Sequence, residues 1–180
     1  MTGYYNLNIM VKPGLALFLL SLLAKCSFAQ SSSEEANLKA AFIFNFTKYI
    51  DWETITPDQD FVIGVIGNSP VVQSLEEVAR SRTTHDKKIS IRKFNRPEDI
   101  LSCQVLFIPK NCPYSLASVL EHTGRGVLTI SEENGFAKLG TSLNFIEIND
   151  KLRFEANLRS LYSAGLRAGS QLLRLAIIVD

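Results

Sequence analysis

His85, His122, Cys103 and Cys112 are the residues of this 180-residue chain best suited to nucleophilic or metal chemistry. A hydrolytic triad needs a nucleophile, a base and an orienting acid. His85 lies in Ser81-Arg82-Thr83-Thr84-His85-Asp86-Lys87, which reads as a solvated loop. His122 ends a surface helix between Glu121 and Thr123. Neither stands beside a nucleophile elbow. Cys112 precedes a helix start but has no histidine next to it in sequence, and whether one approaches in space is left to the fold. Two histidines and two cysteines at these spacings make no zinc-type cluster. Glu76-Glu77 and Glu132-Glu133 are adjacent pairs, so they do not share a helix face and read as surface acids. Gly64-Val65-Ile66-Gly67 sits where a dinucleotide fold places its phosphate loop, but the fingerprint needs three glycines at the turn. Gly64 therefore reads as close packing and Gly67 as a turn. A small ligand at the carboxyl ends of the strands stays open. No catalytic set is assembled, and neither enzyme activity nor a cofactor or metal is expected.

What remains is chemistry of binding. Arg153, Glu155, Asn157 and Arg159 alternate along a strand end and a helix start, with Phe154 facing away. Arg167, Ser170, Gln171 and Arg174 surround two glycines. Such a stretch is either a salt-bridged edge or a polar docking rim. Phe44, Phe46, Tyr49 and Trp52 supply the apolar material of contacts. Trp52, at a helix end, is expected to be the most exposed of them. The candidate partner-binding residues are Trp52, Arg153, Glu155, Asn157, Arg167 and Arg174. A formal net charge of +1 gives no pull toward nucleic acid or acidic lipid.

The first residues point to export. Lys12 is followed by the apolar run from Leu15 to Ala24, then by Ser27-Phe28-Ala29 with small residues at the positions a signal peptidase reads. The run is shorter than the roughly 20 residues of a membrane span. Cleavage after Ala29 is expected, leaving residues 30–180 as one α/β domain in the periplasm. Lys25, directly before Cys26, is too large for lipoprotein processing. The mature chain has 17 basic against 18 acidic residues and keeps Cys103 and Cys112. Export permits a disulfide. The strand between them spans about 20 Å, whereas a bridge needs Cα atoms within roughly 7 Å. The chain would have to double back after Pro109, so a bridge is not the expected state.

The elements alternate. A helix runs from Glu34 to about Ile50, with Leu38, Phe42, Phe46 and Tyr49 or Ile50 at helical spacing and Ala41, Ile43 and Phe44 widening the face. Thr56-Pro57-Asp58 marks a loop. Phe61 to Gly67 is a central parallel strand by its continuous apolar run. Ser69 and Pro70 open a helix bearing Val71, Val72, Leu75, Val78 and Ala79. Lys88 to Phe94, Val105 to Ile108 and Val127 to Ile130 are strands. Pro97-Glu98-Asp99 is a turn or short helix, Pro113 to Leu120 is a helix, and Ser131 caps a short helix through Leu139. Asn149-Asp150 joins two strands as a hairpin. Helical turns follow from Asn157 and from Gln171. The pattern predicts an α/β fold: a single three-layer Rossmann-like domain with a mostly parallel sheet and an antiparallel edge hairpin.

Several separated segments resemble one family. They are Lys39 to Trp52, with its aromatic-rich Asn45-Phe46 followed by tryptophan, Cys103 to Ile108, and Leu128-Thr129-Ile130-Ser131 with Gly135-Phe136. Asn144-Phe145, Leu152 to Asn157 and Gly169 to Ala176 complete the set. Together, in this order, they resemble the YfiR-like family of bacterial periplasmic proteins over nearly all of the mature chain. That resemblance implies a compact, dimeric α/β regulator. Its founder binds the periplasmic part of an inner-membrane diguanylate cyclase and represses cyclic-di-GMP output. Related domains accompany other membrane sensors such as histidine kinases. This chain departs in having Gly140-Thr141 where Gly-Gly is frequent, and in its cysteines. The founder has two bridges. Cys103 matches a bridged position, but no earlier mature cysteine exists to partner it. The expected function is repression of a membrane signalling protein. The alternative is a small-ligand sensor or accessory domain for a histidine kinase or outer-membrane transport system.

Overall fold

The computed structural model describes residues 32–53, 59–100 and 103–179. The expected export segment 1–29 and the Thr56-Pro57-Asp58 loop lie outside the described residues. Two compact units divide the chain, Met1–Glu35 and Ala36–Asp180. In the first, residues 32–35 are helical, so the helix begins before the expected Glu34.

The second unit opens with helix α1, residues 36–49, and passes straight into strand β1 (Ile50–Trp52). Its centre is β2 (Phe61–Ile66), every residue of which is buried. A strand covered on both faces has no polar side to show, which is why its sequence lacks alternation. β2 pairs in parallel with β4 (Lys87–Phe94) on one side and β5 (Val105–Ile108) on the other. β6 (Leu128–Ser131) and β7 (Leu143–Ile148) continue the parallel run beyond β5. β8 (Lys151–Asn157) returns antiparallel to β7, and β10 (Ile177–Val179) adds in parallel to β8. The short β3 (Thr83–Thr84) flanks β4, so the sheet order is β10-β8-β7-β6-β5-β2-β4-β3. The chain builds outward from β2 in both directions, as in doubly wound α/β folds.

Alternate β2 residues feed two apolar clusters. Phe61, Ile63 and Val65 join α1 and helix α2 (Val71–Ser81), through Ile43, Phe46, Val71 and Leu75. Val62 and Ile66 join Leu106, Ile108 and helix α3 (Leu116–Glu121), through Leu116 and Val119. Helices thus cover both sheet faces, and the expected α/β layering is present. Gly64 fills the role read from its position: a Cβ there would lie 2.5 Å from Phe94 Cε2. Gly67 turns the chain at φ 78°.

Several local expectations need correction. The covered face of α1 runs through Ala36, Ala40, Ile43, Phe44, Phe46 and Thr47; Phe46 and the following Ile50 are buried as expected, while Leu38 and Tyr49 are exposed. The apolar periodicity was too broad to fix the helix rotation. Thr47 is buried because its hydroxyl donates to Phe44 O at 2.7 Å and meets the Thr84 hydroxyl at 2.9 Å. Residues 134–140 form successive turns rather than a helix. Gly135 and Gly140, at φ 83° and 120°, explain why no regular helix persists. The predicted hairpin turn is present, with Asn149 and Asp150 at φ 51° and 58°. Positive φ at both residues matches the strand twist. A second such turn, His85-Asp86 at φ 49° and 57°, joins β3 to β4 where a solvated loop is predicted.

Three short strands escape the sequence reading: β1, β3 and one more. β9 (Leu166–Ala168) pairs antiparallel with β1 as a separate two-stranded ribbon. It sits between helix α4 (Leu158–Ser163) and helix α5 (Ser170–Leu173).

Candidate functional site

The polar residues of β8 share one face, as their alternation requires. Phe154 and Ala156 point to the main core, where Phe154 packs 4.8 Å from Phe46 between ring centroids. Arg153, Glu155 and Asn157 occupy the opposite face, and their environments differ. Arg153 is exposed and Glu155 half-buried. Asn157 is buried: its Oδ1 accepts from Ser160 N at 2.8 Å, capping α4, and its Nδ2 donates to Ala137 O at 2.8 Å. Asn157 is therefore engaged in capping α4 and in holding the 134–140 turns. Its position at a helix start carried that signal.

Glu155 heads a polar network buried on the same face. Asn144 Nδ2 donates to Glu155 Oε2 at 3.0 Å, and Asn144 Oδ1 accepts from Ser131 Oγ at 2.7 Å. Ser131 Oγ also meets Thr141 Oγ1 at 2.8 Å. Beside them, Thr129 Oγ1 donates to Ser142 Oγ at 3.2 Å and accepts from Ser142 N at 2.8 Å. The second sheet face is thus apolar on β2 and β5 and polar from β6 to β8. No buried side-chain nitrogen or oxygen among the described residues lacks a partner.

Trp52 and Arg167 lie elsewhere, on the ribbon. Trp52 is half-buried in β1 rather than exposed at a helix end. Its Nε1 donates to Gly126 O at 2.8 Å, and its ring stands edge-on to Phe61 and His85 at 5.3 and 5.5 Å. His85 in turn stacks on Phe61 at 5.8 Å, with Nε2 2.8 Å from Thr47 O. That carbonyl can only accept, so Nε2 carries the proton. Arg167 is exposed opposite Asp51 in the ribbon register.

Arg174 is exposed and caps α5 at its C-terminal end. It leads into β10, the outermost strand of the main sheet among the described residues. Leu175, Ile177 and Ile178 are 65%, 41% and 45% exposed there. Ile177 stands beside Glu155 in the ladder, so this apolar edge adjoins the Arg153 face. The sequence shows Ile177-Ile178-Val179 as apolar but not as an edge, because edge status depends on strand order. Of the six expected docking residues, Arg153, Glu155 and Arg174 belong to this sheet end, Trp52 and Arg167 to the ribbon, and Asn157 to the interior.

Cys103 and Cys112 carry free thiols. Cys103 is buried, and burial pushes its thiol up to about 12, so it is no nucleophile near neutrality. His122 Nδ1 lies 2.9 Å from Ser118 O on an exposed helix end. Among the described residues no cluster of three His, Cys, Asp or Glu could hold a metal. Glu132 is not the surface acid its sequence suggests. It pairs with Lys39, each side chain 13% exposed, and its Oε1 accepts from Lys110 N at 2.9 Å. That bridge ties α1 to the carboxyl ends of β5 and β6. Elsewhere, a hydrogen bond from Arg96 lowers the Asp99 carboxyl below its usual range on an exposed turn.

Residues 36–177 match the model of the family described as YfiR/HmsC-like. The chain belongs to the YfiR/HmsC-like family. The match starts where the second compact unit starts and ends within β10. None of the curated proteins compared matches the chain. Two of the resembling segments bear on the sheet end described above. Leu152 to Asn157 is most of β8, whose one face packs on Phe46 and whose other face anchors the polar network. Gly169 to Ala176 spans α5 and its approach to the β10 edge. In this YfiR/HmsC-like chain the segments of resemblance thus carry both the packing of β8 and the exposed sheet end.

Proposed function

We propose that this chain is a non-enzymatic periplasmic regulator that binds and represses a membrane signalling protein, a diguanylate cyclase being the first expected partner. The observation that carries the reading is the family match over residues 36–177, nearly all of the second compact unit. The family is regulatory rather than catalytic in character. Export at Ala29 and a homodimer are parts of the same proposal. The docking surface we favour is the β10 end of the sheet. An open apolar edge offers unpaired backbone groups to an incoming strand, and Arg153 and Arg174 flank it with positive charge. The partner segment that fits is an apolar strand bordered by acids. Among the described residues no helix is long and apolar enough to cross a membrane.

Repression would work as a population shift. The regulator must bind the inactive state of its partner more tightly than the active one. Affinity capture of the tagged protein from detergent-solubilised envelope tests the reading. Recovery of a cyclase with a periplasmic sensory region supports it. Recovery of a histidine kinase or transporter moves the chain to the sensor or accessory reading. Fractionation of the protein with the cytoplasm sinks both.

A further inference from the structure

At the end of the main sheet opposite β10, β3 covers only part of β4. The two pair at Thr83↔Lys88 and Thr84↔Lys87 and nowhere further. From Ile89 to Phe94, β4 has β2 on one side and no strand on the other among the described residues. Two contacts fix which backbone groups face the uncovered side. Phe94 O accepts from Gly67 N at 2.8 Å, on the β2 side. Lys87 stands opposite Thr84 on the β3 side. Backbone direction alternates along a strand, so Ile91 and Lys93 turn their N–H and C=O outward. Neither has a strand partner there among the described residues.

The side chains on this edge are cationic. Residues 87–93 hold Lys87, Lys88, Arg92 and Lys93 and no acid, in a chain whose charges otherwise nearly balance. Lys88, Arg92 and Lys93 are exposed, and Ser90 and Ile91 lie half-buried between the two basic pairs. By alternation Lys88 and Arg92 share one face of the strand, and Lys87 and Lys93 the other. Lys88 and Arg92 are separated by roughly 13 Å. The ion pairs of the described residues are Lys39–Glu132, Arg96–Asp99 and Arg125–Glu53, so none of these four cations meets an acid there. Lys87 and Lys93 donate instead to neutral oxygens, Gln59 O and Asn68 Oδ1.

This combination selects its occupant. Like charges set face to face keep a second copy of β4 from adding to the edge. The same charges admit an acidic strand. Cations alone would accept any anion, whereas unpaired N–H and C=O groups require an extended chain. We propose that the uncovered edge of β4 takes up an extended acidic segment of a protein partner as an added strand. Its backbone bonds to Ile91 and Lys93, and its acids lie against Lys88 and Arg92. The inference goes beyond the regulatory reading and does not rest on it, because the edge lies at the other end of the sheet from β10 and its binding is measured on the isolated protein.

The test titrates purified full-length protein against the fluorescein-labelled peptide Glu-Glu-Thr-Val-Thr-Val-Glu-Glu, read by fluorescence polarisation at low ionic strength. A second peptide, Glu-Glu-Thr-Pro-Pro-Val-Glu-Glu, keeps the charge and removes a backbone donor on either side of the strand. Saturable binding of the first is expected, with the proline peptide about tenfold weaker through the lost hydrogen bond. In the complex, hydrogen exchange should slow at the Ile91 and Lys93 amides. Lys88→Glu combined with Arg92→Glu, both at exposed positions, should weaken binding about tenfold or more, since two attractions become repulsions. Ile178→Lys, on β10, should bind the peptide as the parent does. Absence of saturation overturns the proposal. Equal affinity for the proline peptide overturns it too, because charge alone would then account for binding. So does unchanged affinity in the double variant, or a loss in Ile178→Lys. Binding to phosphatidylglycerol vesicles without binding to the peptide would assign the basic row to a lipid surface and likewise overturn it.

Discussion

Asn144 is the residue on which the polar half of the sheet turns, and replacing it gives a sharp test. It is fully buried, accepts from Ser131 and donates to Glu155. Asn144→Ala removes one neutral bond, about 1 kcal/mol, and one bond to an ionised acceptor, about 2 kcal/mol. Ser131 keeps Thr141 as a partner, so its oxygen is not orphaned. The expected loss is therefore about 3 kcal/mol, a large share of a typical stability of roughly 5–15 kcal/mol. For a domain of this size that is a fall in Tm of about 6–12 °C. Asn144→Asp separates hydrogen bonding from charge. It places a second carboxyl against Glu155, which raises the new group's pKa above its unfolded value near 3.9. A raised folded pKa contributes stability that is present below the unfolded pKa and lost as pH rises through the folded one. Asn144→Asp should thus resemble the parent most closely near pH 4 and fall behind it steadily toward pH 8. Urea unfolding followed by circular dichroism across that range reads both variants. A loss below about 1 kcal/mol for Asn144→Ala, or a pH-independent gap for Asn144→Asp, would refute the network as described.

Three further outcomes follow from other parts of the molecule. Gly64→Ala should cost about 1–3 kcal/mol, because its Cβ would meet the Phe94 ring and the core must shift; a denaturant midpoint equal to the parent's counts against that packing. At pH 8, iodoacetamide should label Cys112 first and Cys103 only after unfolding, since burial holds the Cys103 thiol near 12; equal labelling rates by mass spectrometry would contradict the burial. Ile178→Lys should leave Tm within about 2 °C of the parent, as substitutions at exposed positions do, yet abolish capture of the membrane partner; full capture by this variant would move docking to another surface.

The sequence speaks clearly where one element decides its own environment. The continuous apolar run of β2 requires cover on both faces, and Asn149-Asp150 supports the tight turn that its positive φ values show. It is silent where environment depends on strand order. Arg153, Glu155 and Asn157 look alike as an alternating polar row, but β7 and the 134–140 turns lie over only part of that row. Asn144 and Ala137 draw Glu155 and Asn157 inward and leave Arg153 in solvent. Trp52 failed for a related reason. Its neighbour Leu166 comes from β9, a three-residue strand too short to show periodicity, and its hydrogen-bond acceptor is a loop carbonyl. The family resemblance reached further than periodicity did, since it reads whole segments together. It still could not say which side chains within a segment face outward.

The polar half of the sheet bears on regulation through rigidity rather than through chemistry. A network with every buried group satisfied fixes strand register, because a slip by one residue would exchange its members for apolar side chains. Here the network spans β6, β7 and β8, and β10 takes its place from β8. Three residues of edge strand make few backbone bonds of their own, so their position is inherited from the register beneath. A regulator that acts by favouring one partner state needs a surface of fixed shape, since a compliant one would fit both states and shift nothing. Asn144→Ala should accordingly weaken partner capture as well as stability, although Asn144 itself is buried. Capture measured well below the variant's melting temperature separates the two effects. Undiminished affinity there would show that β10 keeps its place without the network.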